Sequence, residues 1–401
     1  MTEEENNYMT SKNTNHNSFI SRRRLLGTTL AGGLGITGVG LVTGKGVNKK
    51  QVPITRDNDG VARTTKIPRA VYERDMHVKN MAEVMSNRRK KNKNIDSVMV
   101  TDSKEEKDGH KITKLQISVP ENGDPSQVPD SVQGVPIETI PPQNFKTGGC
   151  SNNGTYDPAE GGVKIVGQDT VGTGFGKVMD MTNGEPRYLA CAHVVEEKDN
   201  VSCDTGESGS ANVFQGGNKI GEVAKGSVDG DWAMIEQTDD ADIEGFDNDI
   251  NWVDHGGRDF EEFYTEWGLR ETMKNNDTLY KSGLTSGSTD GTIESIDADI
   301  EVYCGNRTVD SSGDPYGVIT SVDAGPGDSG SPVFTKYPDD PDNKLSAAGL
   351  WTNYDDESDS YDSGCSAGWT NYTPEKVYER TLFIPSYYHD NEYDFQPWLL
   401  S

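Results

Sequence analysis

A chain of 401 residues with 66 acidic against 38 basic side chains carries a formal charge of −28. That balance excludes DNA, RNA and anionic lipid as favoured partners, since like charges repel. Only 32% of the residues are hydrophobic, and so many carboxylates on so little apolar material point to a hydrated acidic surface. Such a surface suits strong salt, where repulsion is screened within a few ångströms, and implies a halophilic, archaeal source; plain acidic solubility is the alternative.

Residues 1–20 are polar and Asn-rich, a composition that does not build a core, and are expected to be disordered. Ser21-Arg22-Arg23-Arg24-Leu25-Leu26 then leads into a weakly apolar run ending at 44. Paired arginines before such a run resemble a twin-arginine export signal, which places the protein outside the cell or on its surface. The run is long enough to span a bilayer, but its glycines make a poor stop-transfer helix. Membrane contact is therefore expected only through an uncleaved signal. No cysteine follows the run, against a lipoprotein.

Three regions are expected: 1–44 as tail and signal, 45–145 as a small α+β unit, and 146–401 as the main domain. Within the second, 56–69 reads as a linker and 71–92 as a helix with Val78, Met81, Val84 and Met85 on one face. Its basic tail, Arg88 to Lys93, suits the negative end of a helix dipole better than a nucleic-acid patch. Strands are expected at 97–101, at 112–119 through Ile112, Leu115, Ile117 and Val119, and at 133–140. A unit of this size is marginal alone. It carries no catalytic signature, and two readings stay open: a pro-region that assists folding or masks a site, or an accessory domain.

From 161 the pattern changes to short strands with frequent Gly, Asp and Asn turns, as in an all-β barrel. Strands are expected at 162–166 and 172–178, and at 187–192, which delivers His193 to a strand end. The acid-dense stretch 239–262 reads as a surface loop or a connection between barrels; calcium binding is the weaker reading, because no EF-hand spacing occurs. A Gly-rich hairpin follows over 281–293, then strands at 300–304, 317–322, 332–334 and 345–352.

The chemistry centres on Gly327-Asp328-Ser329-Gly330-Ser331-Pro332. A serine hydroxyl attacks only with an adjacent base and a donor pocket for the charge that forms on the attacked oxygen. Glycine lets the backbone aim two N–H groups at one point. Upstream lie Leu189-Ala190-Cys191-Ala192-His193-Val194 and Asp229-Gly230-Asp231-Trp232-Ala233-Met234, so the order is His, Asp, Ser. The alternative G-x-S-x-G elbow is absent, since Ser331 stands where its second glycine belongs.

On these three motifs, residues 161–401 resemble the trypsin-like (chymotrypsin-fold) serine peptidases, especially secreted microbial members. The resemblance implies an all-β fold of two six-stranded antiparallel Greek-key barrels, here preceded by the α+β unit. It implies that Ser329 attacks, His193 shuttles the proton, Asp231 orients the imidazole, and the backbone N–H groups of Gly327 and Ser329 form the oxyanion hole. Asp229 competes with Asp231, which is favoured because it stands two before an alanine at the head of an apolar strand. His255 is the rival histidine and is expected in a loop. Asp323, Trp351 and Thr352 fall where the family's specificity pocket lies; Asp323 would suit Lys or Arg substrates.

Two further implications concern bonds. Cys191 and Cys203 could close a disulfide beside His193, although the first cysteine precedes the histidine instead of following it. Lys164-Ile165-Val166-Gly167 is similar to the family's activation cleavage point, after which a new amino terminus would pair with Asp328. His193 follows Ile165 by only 28 positions, however, and the segment reads as a continuous strand. The activity implied is that of a serine endopeptidase acting on polypeptides, without cofactor; no C-x-x-C pair or histidine cluster suggests a metal. An inactive binding or envelope module and an esterase are the rivals.

Overall fold

The computed structural model describes residues 48–57, 60–89, 91–120, 122–141, 145–146, 156–167, 170–195, 212–227, 230–250, 259–299, 302–304, 307–309, 317–336, 345–355, 360–362, 376–393 and 395–397. Strands dominate, with few helices. The tail and twin-arginine segment lie outside these residues.

The chain opens with an antiparallel hairpin, β1 (Lys49–Asp57) and β2 (Gly60–Pro68). In β1 only Val52 and Thr55 are buried, so the alternation that marks a strand is faint. That is why β2 lies where a linker is expected. Helix α1 (Arg69–Arg89) buries Val78, Met81, Ala82 and Met85 along one stripe, the i, i+3, i+4, i+7 spacing of a core-facing helix. Arg89 turns inward from the basic tail, its Nε donating to the Asp96 carbonyl at 2.6 Å. Then come β3 (Ser97–Lys107) and β4 (His110–Ser118), antiparallel, with β5 (Ser131–Val132) and β6 (Val135–Ile140), the latter parallel to β4. A short strand, β7 (Phe145–Lys146), follows.

The next strands are β8 (Ala159–Gly161), β9 (Lys164–Val166), β10 (Val171–Asp180) and β11 (Glu185–Ala190). A single helical turn, α2 (Ala192–Val195), precedes β12 (Asn212–Gln215), β13 (Asn218–Ser227) and β14 (Trp232–Glu236). The antiparallel order β9, β10, β11, β14, β13, β12 returns to β9 and closes a six-stranded barrel. Ile165, Phe175, Tyr188, Val213 and Met234 belong to the buried apolar cluster packed on the two faces of its wall. Gly174 is required there, because a Cβ on it would lie 1.9 Å from the Tyr188 hydroxyl.

The acidic stretch is not the loop its composition suggests. It contains β15 (Phe246–Ile250), parallel to β8, and β16 (Phe260–Tyr264). Phe260 and Phe263 are 2% and 1% exposed; three positions apart, they would face opposite sides of a regular strand, and the register shift between Phe260 and Glu262 lets both rings pack into one core. Asp247, Asp249 and Asp259 hold carboxylate oxygens within 4.8 Å of one another. Burial, then the Asp249 charge, pushes Asp259 up to about 6.

Helix α3 (Glu266–Asn275) leads to β17 (Leu279–Gly283), β18 (Gly287–Gly291) and β19 (Ile293–Asp299). A ribbon of β20 (Val302–Cys304) and β21 (Arg307–Val309) precedes β22 (Gly317–Thr320), β23 (Pro332–Lys336) and β24 (Leu345–Asp355). A second ribbon, β25 (Ser360–Asp362) with β26 (Lys376–Tyr378), leads to β27 (Thr381–Pro385), helix α4 (Ser386–Tyr393) and β28 (Phe395–Pro397). These strands pair as β18, β17, β23, β24, β27, β22, β19. Among the described residues no β18–β19 pairing closes them into the second barrel that the resemblance implies. The β19 edge is taken instead by β3, so the sheet runs on through β4, β6 and β5. On its other side β16 joins β1 to β24, and β28 returns to β10 of the closed barrel.

Buried and half-buried ion pairs reinforce that continuity. From α1, Asp75 (0% exposed) meets Lys274 of α3 and accepts from the Thr113 N–H and hydroxyl at 3.1 and 2.9 Å. Lys79 pairs with Glu266, and Arg270 with Glu266 and Asp297. Residues 46–401 accordingly form one compact unit.

Candidate active site

Strand β11 ends at Ala190, and the turn of α2 swings His193 back toward the mouth of the barrel. There Nδ1 lies 2.8 and 2.9 Å from the two carboxylate oxygens of Asp231, and the His193 N–H donates to the same carboxylate at 3.2 Å. Asp231 sits just before β14 with φ of +44°, a left-handed conformation that Asp and Asn tolerate better than most side chains. It is 4% exposed. Burial alone would raise its pKa, but the charge of His193 and hydrogen bonds from His193 and Thr352 outweigh that, holding it below the usual carboxylate range. Nε2 of His193 is buried and finds no partner among the described residues.

Ser329 reaches this place from the other half of the molecule, on the loop between β22 and β23. Thr173 of β10 staples that loop: its N–H donates to the Ser329 carbonyl at 2.8 Å and its hydroxyl to the Gly327 carbonyl at 2.7 Å. The approach is so close that Gly330, at φ +96°, has no room for a Cβ, which would lie 1.9 Å from the Thr173 oxygen. The Ser329 hydroxyl donates to the Thr352 carbonyl at 3.2 Å and not to His193. Thr352 in turn donates its own hydroxyl to Asp231 at 2.7 Å. Gly327 takes φ of +91°, and among the described residues no acceptor is recorded for its N–H or that of Ser329.

Beneath the serine, Asp328 is fully buried and held from several sides. Lys281 Nζ lies 2.9 Å from it, the Ser286 hydroxyl 2.7 Å, and the N–H groups of Thr285 and Gly325 2.7 and 3.0 Å. Lys281 is also fully buried, and burial outweighs the Asp328 charge in lowering its pKa. Asp328 thus has an internal cation, and Ile165 is buried in β9 of the barrel, so no new amino terminus is needed to pair with it. Lys281 was legible after a fashion: on β17 it falls in phase with the buried Leu279.

Cys191 is a free, fully buried thiol whose Sγ donates to the Trp351 carbonyl at 3.3 Å. It faces the core, and the disulfide with Cys203 is not formed. Burial, and then the nearby Asp231, raises its pKa well above that of an ordinary thiol. Cys150, Cys203, Cys365, Asp229 and His255 lie outside the described residues.

The three pocket positions separate. Trp351 is fully buried in the core below the serine loop, with Lys281 Nζ 5.8 Å from its ring centroid. Thr352 directs its hydroxyl at Asp231. Asp323 stays half-buried; its carbonyl accepts from the Thr289 hydroxyl at 2.7 Å, and its charge acts on Lys281. One neighbour of the site gave no sequence signal. His389 of α4 is 2% exposed and stacks on Phe395 at 4.7 Å, which meets Trp232, beside Asp231, edge-on at 4.8 Å.

No family model matches this chain, and no curated protein matches it. Among solved structures it is similar to the crystal structure of Thermobifida fusca protease A, with 18% identity, 59% of this chain and 96% of that one covered, and a TM-score of 0.38.

Proposed function

We propose that the protein is a serine endopeptidase working through an acyl-enzyme, with Ser329 as nucleophile, His193 as general base and then acid, and Asp231 as the group that fixes the imidazole. The observation that carries this reading is the convergence on Thr352, whose hydroxyl contacts Asp231 while its carbonyl holds Ser329. One residue thereby ties together two side chains nearly 100 positions apart. With Nδ1 bonded to Asp231, the imidazole presents its unpartnered Nε2, and the reading requires the Ser329 hydroxyl to leave the Thr352 carbonyl and turn to that nitrogen. Catalytic hydrogen bonds commonly tighten only when substrate is bound. The N–H groups of Gly327 and Ser329 would receive the negative oxygen of the tetrahedral intermediate, and an oxyanion-hole donor of this kind contributes about 3–4 kcal/mol.

Export by the twin-arginine route and adaptation to salt rest on the arginine pair and the charge of −28. A preference for Lys or Arg rests on Asp323 alone. The N-terminal region is read as a built-in accessory part of the enzyme that also masks the site. In support, β7 pairs antiparallel with β24 at Tyr354 and Asp355, just past Thr352. That edge is where an extended substrate would add as a strand.

The test is labelling by a fluorophosphonate in high salt. Modification of the native protein at Ser329, and none of Ser329→Ala, supports the enzyme. No labelling of a folded protein returns the binding-module reading, which the absent Ser329–His193 bond favours. Ester turnover without peptide cleavage returns the esterase.

A further inference from the structure

Strand β24 departs from regular pairing at the site. Its partner residues on β27 run Trp351 to Phe383, then Asn353 to Leu382, so Thr352 is an extra residue, a β-bulge. In a regular strand Thr352 and Asn353 would point to opposite faces. A bulge re-aims side chains, and here the Asn353 amide comes to lie 2.6 Å from the Thr352 hydroxyl oxygen, Nδ2 donating. Both residues are 0% exposed.

We propose that Asn353 is a positioning residue for the Asp231 carboxylate, acting through Thr352; this rests on the serine-peptidase reading above. A threonine hydroxyl has a single hydrogen and can give it to either neighbour. The amide nitrogen of Asn353 only donates, so it occupies the oxygen's lone pair and leaves the hydrogen one destination, Asp231 Oδ2 at 2.7 Å. The chain then has one polarity: Asn353 N–H to Thr352 O–H to Asp231, with His193 N–H arriving from the other side. Donors aligned in this way strengthen each other inside a low-dielectric site. The carboxylate plane is thereby held where both its oxygens stay near His193 Nδ1. Asn353 Oδ1 is buried and finds no partner among the described residues, so the one bond that offsets burying this amide is the bond to Thr352.

The experiment compares Asn353→Ala, Asn353→Asp, Thr352→Val and the Thr352→Val/Asn353→Ala double variant, full-length and in high salt. Rates are normalised to the fluorophosphonate-titrated serine, so unfolded molecules drop out. Asn353→Ala should lose about tenfold in kcat with KM within about twofold, the size expected when one buried hydrogen bond stops supporting the transition state. Added to Thr352→Val it should cost less than about twofold more, because the two residues act as one unit. Asn353→Asp places an acceptor and a negative charge where the donor was, so the acid limb of the kcat/KM profile should move to higher pH. A titrated kcat for Asn353→Ala within twofold of the native value, full additivity in the double variant, or an unmoved acid limb in Asn353→Asp overturns the proposal. Absence of any labelling of the native protein would instead overturn the peptidase reading, which separates the two failures.

Discussion

The barrel that carries His193 and Asp231 closes on itself, since β9 pairs with both β10 and β12. Among the described residues the sheet that carries Ser329 stays open, and its β19 edge is covered by β3 from the N-terminal region. The contents differ as well. The barrel half buries mainly apolar side chains, with Asp180 at the end of β10 and Asp231 before β14, whereas the larger sheet and its helices bury Asp75, Lys274, Arg270, Asp297, Lys281 and Asp328. A closed apolar barrel is stable by its own contacts. An open sheet with buried ions needs whatever segment supplies their partners, so the half holding the nucleophile depends on residues far upstream.

The largest effect expected separates chemistry from fold. Ser329→Ala and His193→Ala should each lower peptide hydrolysis in high salt by roughly 10⁴-fold or more, as in other serine-histidine sites. Thermal unfolding should move little, because neither side chain holds the two halves together. A cooperative collapse of either variant would mean that the site is a structural staple.

Next comes the asymmetry in stability. Lys274→Met leaves the Asp75 carboxylate buried without its cation and should cost roughly 3–5 kcal/mol in urea unfolding, part of it recovered by adding Asp75→Asn. In the barrel, Tyr188→Phe removes only the 2.6 Å bond to the Glu160 carbonyl and should cost about 1 kcal/mol. Equal costs would erase the distinction. The Lys274 result also bears on whether the N-terminal region can leave: its loss would strip Lys274 of Asp75 and Glu266 of Lys79.

A pH effect of intermediate size belongs to His389, which burial lowers to about 3 despite the opposing charge of Asp231. A base with a depressed folded pKa binds its proton better when unfolded, so its contribution is lost as pH falls below about 6.5. Roughly 2 kcal/mol should disappear between pH 6.5 and 5. In His389→Phe, which keeps a ring against Phe395, that slope should vanish from unfolding curves. The smallest effect has the opposite sign. Asp259, raised to about 6, favours the folded state at low pH, and the contribution fades as pH rises through 6. Asp259→Asn should make the protein slightly more stable at pH 8 and flatten that trend, measured in the same unfolding series.

Much of this architecture was readable from local pattern. Helix α1, β3, β4 and β6 lie close to where periodicity places them, because an amphipathic stripe needs only its own residues to be recognised. The β1–β2 hairpin was missed because it buries one side chain every few positions, and β15 and β16 because their carboxylates mask the inward phenylalanines. At the site, the ordered His, Asp and Ser motifs pointed to His193, Asp231 and Ser329. Nothing local pointed to Thr173, Asn353 or His389: Thr173 matters through Ser329 and Gly327, more than 150 positions away, and the other two through near neighbours, Thr352 and Phe395, that themselves meet Asp231 and Trp232.

What the sequence determined by itself was which faces turn inward and which residue types cluster in motifs, since hydrophobic period and glycine placement are properties of neighbours along the chain. What only the tertiary structure decided was partnership: that β3 covers β19, that Lys281 neutralises Asp328, that Cys191 faces the core and that Thr352 serves Asp231. Alternation specifies inside or outside, but the choice of partner depends on which distant edges and charges bury best together, and no window of the chain contains that comparison.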